Sequence, residues 1–360
     1  MRTIAWIGFC QSLFAAILMF NKKGNTLPDK ILSAWLTLLA IEFMICGLDY
    51  ELYGKPLLSS SFLLFNPSLY LYINALTRPQ FKLKWTQLFH LFPFVFFEIF
   101  TYLLSETFSL DTFFLHDRLF IFRLTFASSI MLSWCIYIPL SLILVHKHRM
   151  YLKNEWSTID KNESLGWLLA FAVFYVVFCI FAVIITIIAY FNHLNPLTPH
   201  IYNYSTLLLL VYIMSFYGLR QQIPDKRLVT GDEDHLTPYR NSTLSVETKK
   251  NIQLNIIRYF EKEKAYLNPD LSMNVLSDYL KIPKYQITEV LNTNIGMNFF
   301  QFVYYYRVEA VKEMLANPKN KFSIEAIGYE CGFTSKSSFY TVFKNMTDKT
   351  PLSYRNKVIQ

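Results

Sequence analysis

The sequence predicts an all-α protein in two unlike halves: a bundle of seven apolar helices long enough to cross a bilayer, then a series of short amphipathic helices. Three observations predict it. Apolar residues make up 53% of the 360-residue chain and charged residues only 17%, against roughly a quarter charged in soluble domains. The apolar residues form long runs within residues 1–218. From residue 245 onward they recur instead at the three- and four-residue spacing of amphipathic helices. With only 10 glycines beside 33 Phe and 24 Tyr, a disordered, collagen-like or Gly-loop-rich chain is excluded.

The seven runs cover residues 3–20, 31–48, 57–76, 86–104, 119–145, 166–191 and 201–218. Each approaches the ~20 helical residues that a hydrocarbon core requires. The third, interrupted by Asn66-Pro67, is the weakest, and the sixth has no charge at all. No small-x-small site follows Phe20, so the first run is kept as a helix rather than a cleaved leader. Basic residues fall in alternate loops: Lys22, Lys23 and Lys30, then Arg78, Lys82 and Lys84, then Lys147, Arg149, Lys153 and Lys161. The intervening loops are acidic or neutral, with Lys55 beside Asp49 and Glu51, and Arg118 beside Glu106, Asp111 and Asp117. Basic loops mark the cytoplasmic side. The expected topology is therefore a multi-pass inner-membrane protein with its N-terminus outside and everything after Leu219 in the cytoplasm.

Ionisable residues within apolar helices are costly and therefore informative. Glu42, Glu98 and Arg123 are all expected in the outer half of the bilayer, as a bundle-locking ion pair, with Arg123 snorkelling to the outer interface, or as the floor of a sensor cavity for a charged cue. Pro67, Pro93 and Pro139 are expected to kink their runs, and Tyr70 and Tyr72 to anchor helix three at the interface. The five cysteines, Cys10, Cys46, Cys135, Cys179 and Cys331, have no zinc or disulfide spacing and read as buried packing residues. No metal-ligand pair, nucleophile arrangement or phosphate loop is present, so no cofactor, no metal and no enzymatic activity are expected.

Residues 221–244 are polar, with two prolines and an acidic cluster, and read as an exposed linker. A helix follows from Ser245, a suitable N-cap, with Glu247 in the first turn. Its stripe of Ile252, Ile256, Ile257 and Phe260 is to be buried on the next domain, at a dimer contact or against a relay from the membrane helices.

Two similar helix-turn-helix patterns come next. In the first, Ser272 caps a helix with Leu271 and Leu276 as a hydrophobic staple. The turn Lys281-Ile282 leads to Pro283 at a first helical position and a second helix over 284–292. That helix buries Ile287, Val290 and Leu291 and presents Lys284, Tyr285, Thr288 and Glu289. In the second pattern, Ser323 caps a helix ending at Cys331, Gly332 supplies a left-handed stop, and Phe333 packs the turn. Ser335 then caps a helix that buries Phe339, Val342 and Phe343 and presents Lys336, Ser337, Ser338, Tyr340, Thr341 and Lys344. Phe299, Phe302, Val303, Tyr306, Ala310, Val311 and Met314 form a connecting helix over 299–316. Thr350-Pro351 opens a final short helix.

The stretch SIEAIGYECGFTSKSSFYTVFKNMTDKTPLSYR, residues 323–355, resembles the second helix-turn-helix of the AraC/XylS family of bacterial transcription regulators. The stretch LSMNVLSDYLKIPKYQITEVLNTNIGMNFFQFVYYYRVEAVKEML, residues 271–315, resembles the first unit and connector. NPSLYLYINAL and LFHLFPFV in the apolar half resemble a membrane-bound branch with a seven-helix N-terminal domain. The resemblance implies three parts: 1–220, a seven-helix sensor domain; 221–264, a linker and amphipathic helix; and 265–360, a tandem DNA-binding domain. It implies double-stranded promoter DNA as partner, with two recognition helices in successive major grooves. Carried over, base contacts fall to Tyr285, Thr288 and Glu289, and to Lys336, Ser337, Ser338, Tyr340 and Thr341. Phosphate contacts fall to Lys284 and Lys344.

The chain departs from the pattern in four places. Glu289 and Thr341 stand where the family often has Arg, Lys281 replaces a turn glycine, and Pro283-Lys284 replaces Ser-Pro. The first unit is therefore expected to read DNA weakly. Residues 265–357 carry eleven Lys or Arg against eight Asp or Glu. That surplus of three is small for DNA binding, within a whole-chain charge of +8, and a homodimer in the membrane plane would add avidity. The expected function is a membrane-bound one-component transcription regulator answering an unknown cue. The alternatives are a transporter or enzyme with a regulatory DNA-binding tail, and a plain anchor without a ligand.

Overall fold

A computed structural model of the chain describes residues 1–54, 57–78, 81–104, 116–158, 165–192, 195, 197–221 and 244–359. Lys55, Glu106, Asp111, Lys161 and the linker over 222–243 lie outside these residues. The described residues are helical apart from loops and one isolated bridge. The chain divides into two compact units. One comprises Met1–Lys147 and Leu165–Gly231, the other His148–Ser164 and Asp232–Gln360.

The first unit contains α1 (Arg2–Phe20), α2 (Leu27–Leu52), α3 (Ser61–Thr77), α4 (Phe92–Leu104), most of α5 (Phe120–Glu155), α6 (Gly166–Phe191) and α7 (Thr198–Arg220). Six helices among the described residues are long and apolar enough to cross a membrane. The stretch Trp85–Leu104 counts as one of them, although a 3-10 turn, Phe89–Leu91, divides it just before Pro93. The third run forms a helix of 17 residues, with Pro67 inside it. At 1.5 Å per residue it spans only about 25 Å. Its residues are nearly all buried, so α3 forms the centre of the unit. α5 is 36 residues long with Pro139 inside. It continues ten residues past the expected end of its run, so Lys147, Arg149 and Lys153 are helical rather than in a loop.

α1 and α2 pack closely because Gly8 lets the ring of Phe43 approach. A Cβ there would stand 2.3 Å from the ring. At one end of the unit Lys22 Nζ donates to Asp29 Oδ1 at 2.7 Å, Gly218 O at 2.9 Å and Gln221 O at 2.6 Å. One ammonium thus joins the first loop, the start of α2 and the last carbonyls of α7, where a helix end favours a cation. In the centre, Asn66 Nδ2 donates to Ser133 Oγ at 2.8 Å and Tyr175 OH donates to Asn66 Oδ1 at 2.6 Å. Trp35, Phe65 and Tyr72 surround this polar strip. Cys46 and Cys179 are buried as expected, but Cys10 and Cys135 are exposed. They lie on the outward faces of α1 and α5, beside exposed Ile7, Phe14, Met131 and Leu132.

The second unit contains α8 (Val246–Glu263), α9 (Met273–Leu280), α10 (Lys284–Val290), α11 (Phe299–Ala316), α12 (Ile324–Glu330), α13 (Lys336–Thr347) and α14 (Pro351–Ile359). It has two small cores. The first joins Ile252, Ile256 and Phe260 of α8 to Leu271, Leu276, Ile287, Val290, Phe299 and Phe302. The apolar stripe of α8 is therefore covered by the helices that follow it. The second core joins Tyr304, Val308, Val311 and Leu315 to Ile327, Cys331, Phe333, Phe339 and Phe343. α11 belongs to both: its first half completes one core and its second half the other.

Replacing Gly8 by Ala should lower the unfolding free energy of the first unit by about 1–3 kcal/mol, because the Phe43 ring must leave its site. Thermal unfolding of the full chain in lipid vesicles measures it.

Candidate nucleic-acid interface

Three short helices of the second unit, α9, α12 and α13, are built on local caps. Ser272 Oγ accepts from Val275 N at 3.4 Å, Ser323 Oγ from Ala326 N at 3.1 Å and Ser335 Oγ from Ser338 N at 3.2 Å. Each takes an amide that the first helical turn leaves without a partner. α10 lacks such a cap: Pro283 is its N-cap rather than its first helical residue, and no side chain accepts from its first turn. Its turn is held by Ser277 instead, whose Oγ donates to Ile282 O at 2.7 Å. Lys281, in the place of a turn glycine, adopts φ +58°, a left-handed conformation that costs a non-glycine residue about 1–2 kcal/mol. α10 runs on into a π-helical turn, Leu291–Ile295, before Gly296.

On α10 Tyr285 is exposed, while Lys284 and Thr288 are half-buried. On α13 Lys336, Ser337, Thr341 and Lys344 are exposed, while Ser338 and Tyr340 are half-buried. Lys336 pairs with Glu325 and lies 5.9 Å from the Tyr340 ring centroid. Tyr304 OH and Ser338 Oγ share a hydrogen bond at 3.2 Å.

Glu289 is the exception. The sequence placed it on the presented face, but it is only 3% exposed. Its Oε1 pairs with Lys249 Nζ of α8 at 2.6 Å. The stripe of α8 packs on the same side of α10, so Glu289 is turned from base edges and its charge is met within the unit. No local pattern signals this pair, because the spacing of the α8 stripe does not say which helix covers it.

Arg307 was not singled out in the sequence, and it is the largest charged side chain fully buried in the unit. Its Nε donates to Tyr266 O at 2.7 Å, and its Nη2 to Asn268 O at 2.9 Å and Ser157 Oγ at 3.3 Å. Its Nη1 donates to Thr158 Oγ1 at 2.9 Å and Ser157 O at 3.4 Å. Burial lowers its pKa to about 10, with Tyr304 acting in the opposite sense, so it stays charged at neutral pH. Gly332, at φ +84°, lies on the same turn: a Cβ there would meet Tyr266 O at 2.6 Å and Leu267 O at 2.9 Å. One guanidinium thus ties the connector helix to the turn over 266–268 and to Ser157 and Thr158.

Of the three membrane-half candidates, Glu42 and Glu98 are brought to neighbouring serines. Ser59 Oγ donates to Glu42 Oε1 at 2.7 Å, joined by Tyr204 OH at 3.1 Å, and Ser60 Oγ donates to Glu98. Arg123 is buried, and its Nη2 pairs with Asp117 Oδ1 at 2.6 Å.

Residues 276–357 match the helix-turn-helix domain family. The second unit carries a helix-turn-helix region. An uncharacterized HTH-type transcriptional regulator of Staphylococcus aureus (strain COL) is 30% identical over 119 residues, 33% of this chain and 15% of the relative. A regulator of the same description from strain MSSA476 matches to the same extent. A probable transcriptional regulator of Photobacterium leiognathi, LumQ, is 23% identical over 116 residues, 32% of this chain and 46% of the relative. The chain thus spans less than half the length of each of these relatives. A solved structure of a protein with unknown function from Listeria innocua aligns at a TM-score of 0.27 and 25% identity, over 29% of this chain and 96% of that one. Each of these curated relatives is described as a transcriptional regulator.

Arg307→Met should destabilise the second unit by about 2–4 kcal/mol, since several buried acceptors lose a charged donor. Arg307→Lys should recover only part of this, because an ammonium lacks the planar fork; chemical unfolding of the full chain separates the two. Glu289→Gln should lower stability and leave base preference unchanged in a binding selection. A changed preference would return Glu289 to the DNA face.

Proposed function

We propose that this chain is a membrane-bound one-component transcription regulator of the AraC/XylS type. The observation that carries the reading is the second unit: two capped helix-turn-helix elements, each with its own core, sharing one connector helix. α11 has 18 residues, about 27 Å at 1.5 Å per residue. That is of the order of the ~34 Å between successive major grooves on one face of B-DNA. Lys336, Ser337, Thr341 and Lys344 are exposed on α13, and Tyr285 on α10, with Lys284, Thr288, Ser338 and Tyr340 half-buried beside them. Side chains of these types read base edges and phosphates.

Seven helices, α1–α7, cross the bacterial inner membrane in this reading, with the N-terminus outside. The outward faces of α4, α5 and α6 support it: Phe92, Leu103, Ile121, Leu132, Phe181 and Ile187 are all at least half exposed. A contiguous apolar face of that extent is rare on soluble proteins. Lys22 supports the topology, since it binds the first, basic loop to the end of α7 on one face of the unit. The cue is sensed within the bundle, where Glu42 and Glu98 meet the Ser59-Ser60 segment and Arg123 is held by Asp117. It acts by favouring one arrangement over another, because a ligand with equal affinity for both shifts nothing.

The test uses the full chain in lipid vesicles with duplex DNA. Footprinting should show two protected windows about one helical turn apart. Lys344→Ala should weaken binding to every duplex alike and lower the salt slope by about one. Ser337→Ala should alter base preference in one window only. Binding untouched by both substitutions would contradict the reading.

A further inference from the structure

The second unit includes a short segment from far earlier in the chain. α5 ends at Glu155, and Trp156, Ser157 and Thr158 follow it onto the first helix-turn-helix. Trp156 forms an antiparallel bridge with Ser272, the N-cap of α9. Ser157 N donates to Leu271 O at 3.2 Å, and Ser157 Oγ donates to the same carbonyl at 2.5 Å. Ser157 and Thr158 also accept from Arg307, and both are buried. The strap is therefore a built part of the unit. Its first residue carries the consequence: Glu155 Oε2 pairs with Lys284 Nζ at 3.3 Å, with the two side chains 8% and 20% exposed. Lys284 is the first residue of α10, and in the function proposed above its ammonium is a phosphate contact.

We propose that Glu155 masks Lys284, so that the strap holds the first recognition helix in a state that binds DNA weakly until a phosphate displaces the carboxylate. The proposal rests on the reading of the second unit as a DNA-binding domain. A carboxylate and a phosphate compete for one ammonium, and only one of them can take it. Among the described residues the ion pair of Lys284 is with Glu155, so the mask is an exchange of one anion for another.

The test measures the affinity of the full chain, in vesicles of phosphatidylethanolamine and phosphatidylglycerol, for a mixed-sequence duplex of about 40 base pairs, since phosphate contacts are independent of sequence. Glu155→Gln is nearly isosteric and keeps a hydrogen-bonding amide at the site. It should tighten binding about three- to tenfold, the range expected for releasing one partly buried ion pair. Lys284→Gln should weaken binding, and adding Glu155→Gln to it should then change nothing. The inference is overturned if Glu155→Gln leaves affinity unchanged or lowers it. It is equally overturned if Glu155→Gln tightens binding just as much on the Lys284→Gln background, because the effect is then one of overall charge. Lys344→Gln on α13 separates the two levels. If it weakens binding while Glu155→Gln does not tighten it, only the mask falls. If neither the wild type nor any variant binds the duplex, the DNA-binding reading falls and the mask falls with it.

Discussion

The second unit is organised around a buried positive charge. Arg307 lies in the middle of the connector helix with its guanidinium out of water. Burying such a group is costly unless its donors are satisfied. Among the described residues its hydrogen-bond partners are carbonyl and hydroxyl oxygens from the 266–268 turn and from Ser157 and Thr158. Those acceptors can be supplied together only if that turn and the early strap converge on one point of α11. Gly332 then follows as a necessity, because the turn of the second helix-turn-helix must approach the 266–268 turn without a side chain. The connector is therefore held to that turn and to the strap by one side chain and not by the two small cores alone.

This arrangement has a functional side. Each core is small, and helices of seven or eight residues such as α9, α10 and α12 are too short to be stable by themselves. Their caps and the shared connector hold them. A DNA reader benefits, because the spacing of two recognition helices must match a fixed groove repeat, and a stiff helix with both cores built on it keeps that spacing. The strap adds a third role to the same anchor. Arg307 holds it in place, and Glu155 beside it pairs with Lys284 at the start of α10.

Local chemistry was legible in the sequence, and long-range chemistry was not. The caps at Ser245, Ser272, Ser323 and Ser335, the staple of Leu271 and Leu276, the left-handed Gly332 and the apolar faces of α11 and α13 follow from residues within one or two turns of each other. The sixth apolar run, expected at 166–191, matches Gly166–Phe191 because its composition alone defines it. Glu289 was misplaced because a helical wheel tells which residues share a face and not which neighbour covers it; α8 covers that one. Arg307 counts in the sequence merely as one more basic residue, and its role depends on Ser157 and Thr158, some 150 positions away. The end of α5 was misread for a related reason: charge at Lys147, Arg149 and Lys153 marks the end of an apolar run and not the end of a helix. In the apolar half, the sequence grouped Glu42, Glu98 and Arg123 by depth. The structure joins the two glutamates through adjacent serines and pairs the arginine with Asp117.

The central claim is that a chain with an apolar helical half places two recognition helices on promoter DNA. Chromatin capture with the full-length protein in its native membrane tests this most directly, by mapping the genomic sites it holds. The account predicts discrete sites, each with paired half-motifs about one helical turn apart. A uniform background without enriched sites, under conditions where the protein is folded and abundant, would contradict it.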